Sequence, residues 1–416
     1  TLIDKVVNPE SNNFLILLIL ILASVARLIS IYVYGDTTID KEWGIMLYNL
    51  ETHNILSVRS IDGVPVPNIF MPPLYPVFLY LIKLIFTSSK IFLNATLIIQ
   101  MILSILSIIL VYRILLNFFS QRLTLLGSFA YSFFPLNVYA VSQISSITLQ
   151  MFLINIFLFF FIKLFKDMKL MDCVFYSLAS ALLILLRGEF FVFVLLSLIY
   201  LLLNNYKKFG KIFGILVLII LIISPYLYRN YNIFGVITLT KSSGYNLLKG
   251  NHPDTTVEGI GMFGDVGLIV PAVKNAMEDL KKKGPIKNHD LIKDEILMRQ
   301  AIKFIKQDPM RYFNLYWKKF FSFMFFDLNS TYPKYYSPPH ILPKIVLSIT
   351  TLIGIFSILS FKLNLQNYFS LFYIANIGLF SVFFILPRYS LSLLTIQIIL
   401  SLFGVEKIFK KIKNVT

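Results

Sequence analysis

The sequence predicts an all-α, polytopic membrane protein with about ten transmembrane helices. Of its 416 residues, 57% are hydrophobic and 14% are charged, and the mean hydropathy is +0.76. A soluble chain of this length would need more charge to cover its surface. Apolar runs of about 17 to 25 residues recur, which is the length that a helix needs to cross a hydrocarbon core about 30 Å thick. The runs lack the alternation of barrel strands, which leaves helices as the spanning elements.

Basic clusters in the short loops predict the orientation of the spans, because such clusters stay in the cytoplasm. They lie at Lys163, Lys166 and Lys169; at Lys207, Lys208 and Lys211; and at Lys407, Lys410, Lys411 and Lys413. With the first run as a signal anchor and not a cleaved signal peptide, both termini are expected in the cytoplasm. The predicted spans are residues 13–34, 91–112, 123–140, 146–165, 171–186, 190–203, 211–228, 344–361, 367–386 and 389–405.

Three sections of chain follow from this topology. Residues 1–228 form an N-terminal transmembrane core, with a first external loop at 35–71 and an interfacial or re-entrant helix at 72–86 that is too short to span. Residues 229–343 form a long external segment, and 344–416 form the C-terminal transmembrane helices. In the external segment, Pro, Gly, Asn and Asp predict a loop up to about Lys287. Helical spacing of apolar residues from 290 to 325 predicts one amphipathic helix lying against the membrane.

Charge and residue counts exclude several functions. The net charge of +17 comes mostly from the loop clusters, so we expect membrane lipids and no nucleic acid as partners. A single cysteine, Cys173, excludes an intramolecular disulfide and a multi-cysteine metal site. The four histidines lack zinc-ligand spacing and no glycine-rich phosphate loop is present. We therefore expect neither a metal nor a cofactor.

The first external loop contains four carboxylates that could carry chemistry. They are Asp36, Asp40, Glu42 and Glu51. A carboxylate held at a membrane surface can act as a general base toward the hydroxyl or amine of an acceptor. The alternative is that they are solvated loop charges, which is the commoner fate of such residues.

Arginine stands at the outer ends of three predicted spans, at Arg187, Arg229 and Arg388. The positive-inside bias disfavours arginine on that side, so a local partner is expected. A phosphate at headgroup level would serve, because a guanidinium group offers it two parallel hydrogen bonds. Snorkelling or ion pairing, as of Arg187 with Glu189, is the alternative.

Several short motifs follow one another in a characteristic order. They are Asp40-Lys41-Glu42-Trp43, Asn49-Leu50, Pro72-Pro73-Leu74-Tyr75-Pro76, Arg229-Asn230-Tyr231, Gly250-Asn251-His252-Pro253, Asp308-Pro309-Met310-Arg311-Tyr312 and Arg388-Tyr389. This ordered set resembles the bacterial branch of the protein O-mannosyltransferase-like family in the glycosyltransferase C superfamily. The resemblance implies an inverting sugar transfer from a polyprenyl-phosphate donor to a glycan, lipid or protein acceptor. The reaction is expected on the extracytoplasmic face of the bacterial inner membrane.

The resemblance also implies roles for individual residues. Asp40 is the implied catalytic base, with Glu42 and Asp36 as alternatives because the spacing to Trp43 is one residue shorter than in the family. The implied substrate-binding residues are Tyr75, Arg187, Arg229, Asn251 and Arg388. The arginines would supply the positive charge that a metal ion supplies elsewhere. A transporter or flippase of lipid-linked saccharides could use the same arginines without a base, and a noncatalytic scaffold is the remaining alternative.

Overall fold

A computed structural model describes residues 9–39, 41–58, 60–61, 63–259, 270–282, 288–327, 329–330, 338–360 and 362–413. Over these residues the structure is helical, which confirms the all-α class. The strands in these ranges, β1 (Ser60–Ile61) and β2 (Val64–Pro65), form a two-residue antiparallel hairpin in the first external loop. Gly63 in its turn has φ +80°, a value that glycine adopts without steric cost.

The N-terminal half packs its apolar helices into one core rich in phenylalanine, tyrosine, leucine and isoleucine. Its helices are α1 (Pro9–Tyr34), α2 (Lys41–His53), α3 (Leu74–Ile85), α4 (Ser89–Leu115), α5 (Gln121–Phe133), α6 (Pro135–Ala140), α7 (Ile147–Lys166), α8 (Leu170–Leu186), α9 (Phe190–Asn204), a 3₁₀ turn (Tyr206–Lys208) and α10 (Phe209–Phe234). Helix α7 is buried on most of its surface because α4 and α8 pack along it. It is the central helix of this half.

The single span predicted at 123–140 is wrong in detail, because the chain breaks between α5 and α6. Phe134 has ψ 120°, an extended value, and Pro135 opens α6. A residue before proline is driven out of the helical region by the proline ring, and proline provides no amide hydrogen for the preceding helix. The bend places the 141–146 turn beside the outer end of α1, where the amide of Asp36 donates to Ser142 O at 3.0 Å.

Three helices make up the C-terminal part of the chain, and two of them form a closely packed pair. They are α15 (Pro338–Ile358), α16 (Leu365–Ser381) and α17 (Leu394–Lys413), the last preceded by a 3₁₀ segment (Pro387–Leu393). A Cβ at Gly354 would collide with the carbonyl of Leu400, and a Cβ at Gly404 would collide with that of Thr350. Glycine at both positions therefore allows α15 and α17 to pack backbone to backbone, as small residues do in membrane helix pairs.

Six of the described helices are long and apolar enough to cross a membrane. They lie at Phe14–Tyr34, Ser89–Leu115, Ile147–Lys166, Tyr206–Phe234, Pro339–Ile358 and Pro387–Lys411. Shorter apolar helices at Leu170–Leu186 and Phe190–Asn204 match two further predicted spans. This is compatible with the predicted total of ten, which stays a prediction. Helix α3, at 12 residues, is too short to span unaided, in keeping with the interfacial role predicted for 72–86.

The external segment contains more helix than its composition predicts. The loop expected up to about Lys287 is wrong where α11 (Ser243–Gly250) and α12 (Pro271–Lys282) form. The one amphipathic helix expected from 290 to 325 is two, α13 (His289–Gln307) and α14 (Pro309–Met324). Asp308 separates them, since its carboxylate accepts from the amide of Arg311 at 3.1 Å and caps α14.

Helices α11, α12 and α13 share a small apolar core of their own. Its buried residues are Leu247, Leu248, Val270, Val273, Leu297 and Ala301. Burial of these side chains offsets the weak helix-forming tendency of the Gly-rich and Asn-rich stretch that becomes α11. This tertiary contact explains why local composition underestimated the helix content.

Candidate active site

The charges of Glu42 and Arg388, which come from different parts of the chain, both act on Lys249. Burial and the nearby charge of Arg388 lower the pKa of Lys249, while the carboxylate of Glu42 raises it. The three residues come from α2, from the end of α11 and from the 3₁₀ segment before α17. The Nζ atom of Lys249 also lies 4.6 Å from the ring centroid of Phe384. We call Glu42, Lys249 and Arg388 the charged cluster.

Arg187 is connected to this cluster through the residue that follows Arg388. Its guanidinium carbon lies 5.8 Å from the ring centroid of Tyr389, and Nη1 lies 3.8 Å from Oε1 of Glu189. Its Nε atom is buried and forms no hydrogen bond within the described part of the chain. A buried guanidinium N–H without an acceptor favours an anionic ligand at this position. The structure thus places Arg187 against the segment that carries Arg388.

Arg229, the third predicted arginine, is occupied with the first external loop. Its Nη1 donates to Asn68 O at 2.8 Å and to Asn230 Oδ1 at 2.7 Å. Asn68 in turn accepts from the amides of Phe70 and Met71 through Oδ1. Arg229 therefore fixes the turn that leads into Pro72 and α3, and its predicted contact with a donor phosphate stays a prediction.

The loop-one carboxylates have different surroundings. Glu42 is exposed at the first turn of α2, whereas Asp40 lies outside the described residues. Asp36 accepts from the amide of Ile144 at 2.7 Å and so ties the end of α1 to the turn before α7. A carboxylate used as a structural acceptor is less basic than a solvated one. Among the described candidates, the position of Glu42 suits a catalytic base better than that of Asp36.

A cavity of about 480 Å³ opens beside Glu42. Its lining is Glu42, Val58, Phe70, Met71, Lys241, Tyr245, Asp290, Lys293, Asp294 and Leu297. The rings of Phe70 and Tyr245 stand edge to face, with centroids 5.4 Å apart. Asp294 caps α11, because Oδ1 accepts from the amide of Gly244 at 2.8 Å and from that of Tyr245 at 3.2 Å. Aromatic faces beside amines and carboxylates form a polar pocket of the size that small ligands occupy.

Two other predicted binding residues are buried in supporting positions. The hydroxyl of Tyr75 donates to Gln100 Oε1 at 3.1 Å, and its ring lies edge to face against Trp43 at 5.0 Å. Asn251 is 5% exposed and its amide donates to Leu247 O and Val382 O, each at 2.9 Å. Tyr75 therefore supports α2, and Asn251 joins α11 to the segment that precedes Arg388.

Sequence reasoning missed two lysines of this region. Lys249 stands one position before the Gly-Asn-His-Pro motif, next to residues that were singled out. Lys319 lies on the apolar face of α14 between Leu315 and Phe323, where a charged residue is unexpected. A lysine in the middle of an apolar helical stripe was the available signal. The phosphate site predicted from the sequence contained arginines and no lysine.

No group of three or more His, Cys, Asp or Glu side chains that could hold a metal ion occurs in the ranges that the structure describes. Lys249 lies within the electrostatic influence of both Glu42 and Arg388, and Lys241 and Lys293 line the same cavity as Glu42. Positive side chains at fixed positions can stabilise charge that develops on a leaving phosphate. The arrangement can thus assist phosphate departure next to a carboxylate.

Comparison with known proteins was made for sequence and for structure. Residues 71–228 match the family described as dolichyl-phosphate-mannose-protein mannosyltransferase. The fold resembles the oligosaccharyltransferase of Archaeoglobus fulgidus, tethered to an acceptor peptide, at TM-score 0.53 and 13% identity over 95% of this chain. At this identity the likeness is one of fold. The apo form of the same enzyme gives TM-score 0.51 and 15% identity over 95% of this chain.

The family match over 71–228 and the shared fold agree with the resemblance predicted from the motifs. The chain spans 50% and 51% of those two structures, about half of their length. No curated protein sequence matches it significantly. At such low identity the structural likeness shows the shared fold, and the site residues have to be argued from this chain.

Proposed function

We propose that this protein transfers a sugar from a polyprenyl-phosphate donor to an acceptor, with inversion, on the extracytoplasmic face of the bacterial inner membrane. The observation that carries the proposal is the position of Glu42, which lines the cavity and also influences Lys249. The catalytic base has to lie between the sugar acceptor and the sugar donor. Glu42 lines the cavity proposed for the acceptor, and it acts on Lys249, which is proposed to bind the donor phosphate. The family match over 71–228 supports a lipid-linked sugar as the donor.

In the proposed reaction the acceptor occupies the cavity, with its nucleophilic hydroxyl or amine near Glu42. The nucleophile forms a bond to the anomeric carbon while the bond from that carbon to the phosphate oxygen breaks. The carboxylate of Glu42 takes the proton of the nucleophile. Lys249, Arg388 and Arg187 bind the phosphate and stabilise the charge that it gains as it leaves. The polyprenyl tail remains in the outer leaflet beside α3.

Asp40 is an alternative base that the motif spacing favours, and mutation separates it from Glu42. The acceptor remains one of three classes, glycan, lipid or protein. The Phe70 and Tyr245 rings and the polar groups of the cavity support a glycan, because sugars combine hydroxyl groups with apolar ring faces. The A. fulgidus oligosaccharyltransferase, by contrast, has been captured with a peptide acceptor.

The deciding experiment follows free polyprenyl phosphate by mass spectrometry. Purified protein in detergent is incubated with polyprenyl-phosphate sugars and membrane extract, and Asp40→Asn, Glu42→Gln and Glu51→Gln are assayed in parallel. Glu51 is an exposed carboxylate on the same helix as Glu42 and serves as the control. Loss of release in Glu42→Gln alone names the base. Loss in Asp40→Asn alone transfers that role to Asp40.

A transporter of lipid-linked saccharides predicts a different result, and the family match gives it no support. A carrier would bind the donor and leave it intact in every variant. A chelator tests whether the reaction needs a metal ion. A site that relies on lysine and arginine should keep its activity in EDTA. Abolition by EDTA would overturn the metal-free mechanism.

A further inference from the structure

Lys319 is a buried cation in the external segment that the proposed mechanism does not use. It is 0% exposed on the inner face of α14, together with Leu315 and Phe323. The opposite face of this helix exposes Phe313 and Trp317. Burying an ammonium group is costly unless polar atoms surround it. A lysine kept on this face is therefore expected to have specific partners.

Within the described part of the chain, its hydrogen-bond partners are three oxygen atoms, none of which belongs to a carboxylate. Nζ donates to Phe383 O at 2.5 Å, to Gly250 O at 2.7 Å and to Asn251 Oδ1 at 3.3 Å. An ammonium has three N–H donors and no acceptor, so the three oxygens match its capacity. A neutral side chain of the same length would leave buried carbonyl groups without a donor.

The oxygens come from two segments that are far apart in the sequence. Gly250 and Asn251 end α11, and Phe383 follows α16. The segments are pressed together, because a Cβ at Gly250 would collide with the carbonyl of Phe383. The amide of Asn251 adds a bond to Val382 O at 2.9 Å. Lys319 closes this junction from the side of α14.

Each of these segments carries one cation of the charged cluster. Lys249 directly precedes Gly250, and Arg388 lies five residues after Phe383. Phe384, which follows Phe383, has its ring centroid 4.6 Å from Nζ of Lys249. A shift at the junction therefore changes the separation of Lys249 and Arg388.

We propose that Lys319 is a positioning residue for sugar transfer, which holds Lys249 and Arg388 at the separation that the donor phosphate requires. It touches backbone and an amide, and it acts on the donor only through the two cations. The proposal rests on the proposed function for its readout. Lys319 lies on α14, a helix that contains none of the predicted binding residues.

The test compares Lys319→Met with Lys318→Met, its exposed neighbour on the same helix. We expect kcat/KM for the donor to fall about 100-fold in Lys319→Met, the order of loss that misplacement of a catalytic group by about 1 Å produces. Lys318→Met should match the wild type. Lys319→Arg, which restores charge and donors, should recover part of the loss.

A double-mutant cycle with Arg388→Ala separates positioning from a general structural role. If Lys319 acts through Arg388, the double variant is little worse than Arg388→Ala alone, whereas independent effects would add. Additive losses, or full kcat/KM in Lys319→Met, overturn the proposal. Should Lys319→Met fail to fold, Asn251→Ala weakens the same junction and must show the same non-additivity with Arg388→Ala.

Binding of polyprenyl phosphate, measured directly on the same variants, keeps the two proposals apart. Wild-type protein that binds this lipid but transfers no sugar would refute the proposed function. The double-mutant cycle would then use the dissociation constants of polyprenyl phosphate in place of kcat/KM. Non-additive changes in these constants would still support the positioning role of Lys319, and additive changes would still overturn it. Wild-type transfer with normal activity in Lys319→Met refutes only the positioning role.

Discussion

The bundle core around Arg27 and the junction around Lys319 both bury a basic side chain among uncharged oxygens. Arg27 is 0% exposed in α1 and donates through Nε to Ser104 Oγ at 2.9 Å. Its Nη1 donates to Ala23 O and Ser132 O, each at 3.1 Å. Lys319 donates to the oxygens of α11 and of the turn after α16. The chemistry is alike, since uncharged oxygen atoms replace water in both places: a hydroxyl and two carbonyls at Arg27, and two carbonyls and an amide oxygen at Lys319.

The two residues differ in which parts of the molecule they connect. Arg27 joins three helices, α1, α4 and α5, and none of its partners belongs to the charged cluster. Lys319 joins two segment ends that carry Lys249 and Arg388. A buried cation can thus stabilise the bundle in one region and align a site in the other. The comparison predicts that loss of Arg27 reduces stability, while loss of Lys319 reduces catalysis more than stability.

The largest expected effect on stability is that of Arg27→Ala. Truncation leaves a void in a helix junction and leaves Ser104 without its donor, and we expect a loss of about 3–5 kcal/mol in the free energy of unfolding. Thermal unfolding in detergent measures it, with exposed Arg122→Ala as the control. The folded fraction should keep the donor KM of the wild type. A raised donor KM in Arg27→Ala would mean that Arg27, like Lys319, affects the site, and would contradict the contrast drawn between the two regions.

Lys249→Ala should lower donor affinity without unfolding the protein. Loss of a charged hydrogen bond to phosphate is worth about 1.5–3 kcal/mol, or about 10-fold to 100-fold in KM for the donor. Lys274→Ala, at an exposed lysine of α12, is the matched control. An unchanged KM in Lys249→Ala would remove Lys249 from the site and leave the arginines alone to bind phosphate.

The pH dependence of stability tests the burial of Lys319. Burial lowers the pKa of Lys319 to about 7, below its ordinary value of 10.5. Between these values the unfolded chain holds a proton that the folded chain does not, so stability rises with pH across this window, and below about pH 7 this dependence vanishes. The slope is at most about 1.4 kcal/mol per pH unit. Unfolding measured from pH 6 to pH 9 should lose this component in Lys319→Met but keep it in Lys318→Met.

The smallest expected effect belongs to the ring beneath Lys249. Phe384→Leu keeps an apolar side chain but removes the aromatic face 4.6 Å from Nζ of Lys249. A cation–π contact at a partly exposed site is worth about 0.5–1 kcal/mol, which predicts a rise in donor KM of about 2-fold to 5-fold. A titration of initial rates against donor concentration resolves this change. A loss as large as that of Lys249→Ala would mean that Phe384 itself orders the segment.

Much of the fold was predictable because span length and hydrophobicity are local properties of the chain. The apolar runs that became α1, α4, α7 and α10 could be read directly, as could the arginines at the ends of spans. The break at Pro135 was also available in the sequence and was missed, because hydropathy continues across it. The external helices α11 and α12 could not be read locally, since burial against α13 stabilises them.

The sequence by itself determined that the chain is a helical membrane protein and that its motifs resemble those of the glycosyltransferase C superfamily, because composition, run length and motif order are all local properties of the chain. Only the tertiary structure decided which polar groups share a site. Lys319 meets Gly250 across 69 positions of sequence, and Arg229 meets Asn68 across 161. Such pairings depend on how the helices pack, and identical residue types were equally available elsewhere. Folding therefore grouped Arg187 with Tyr389, assigned Arg229 to a loop, and brought two unpredicted lysines to the site.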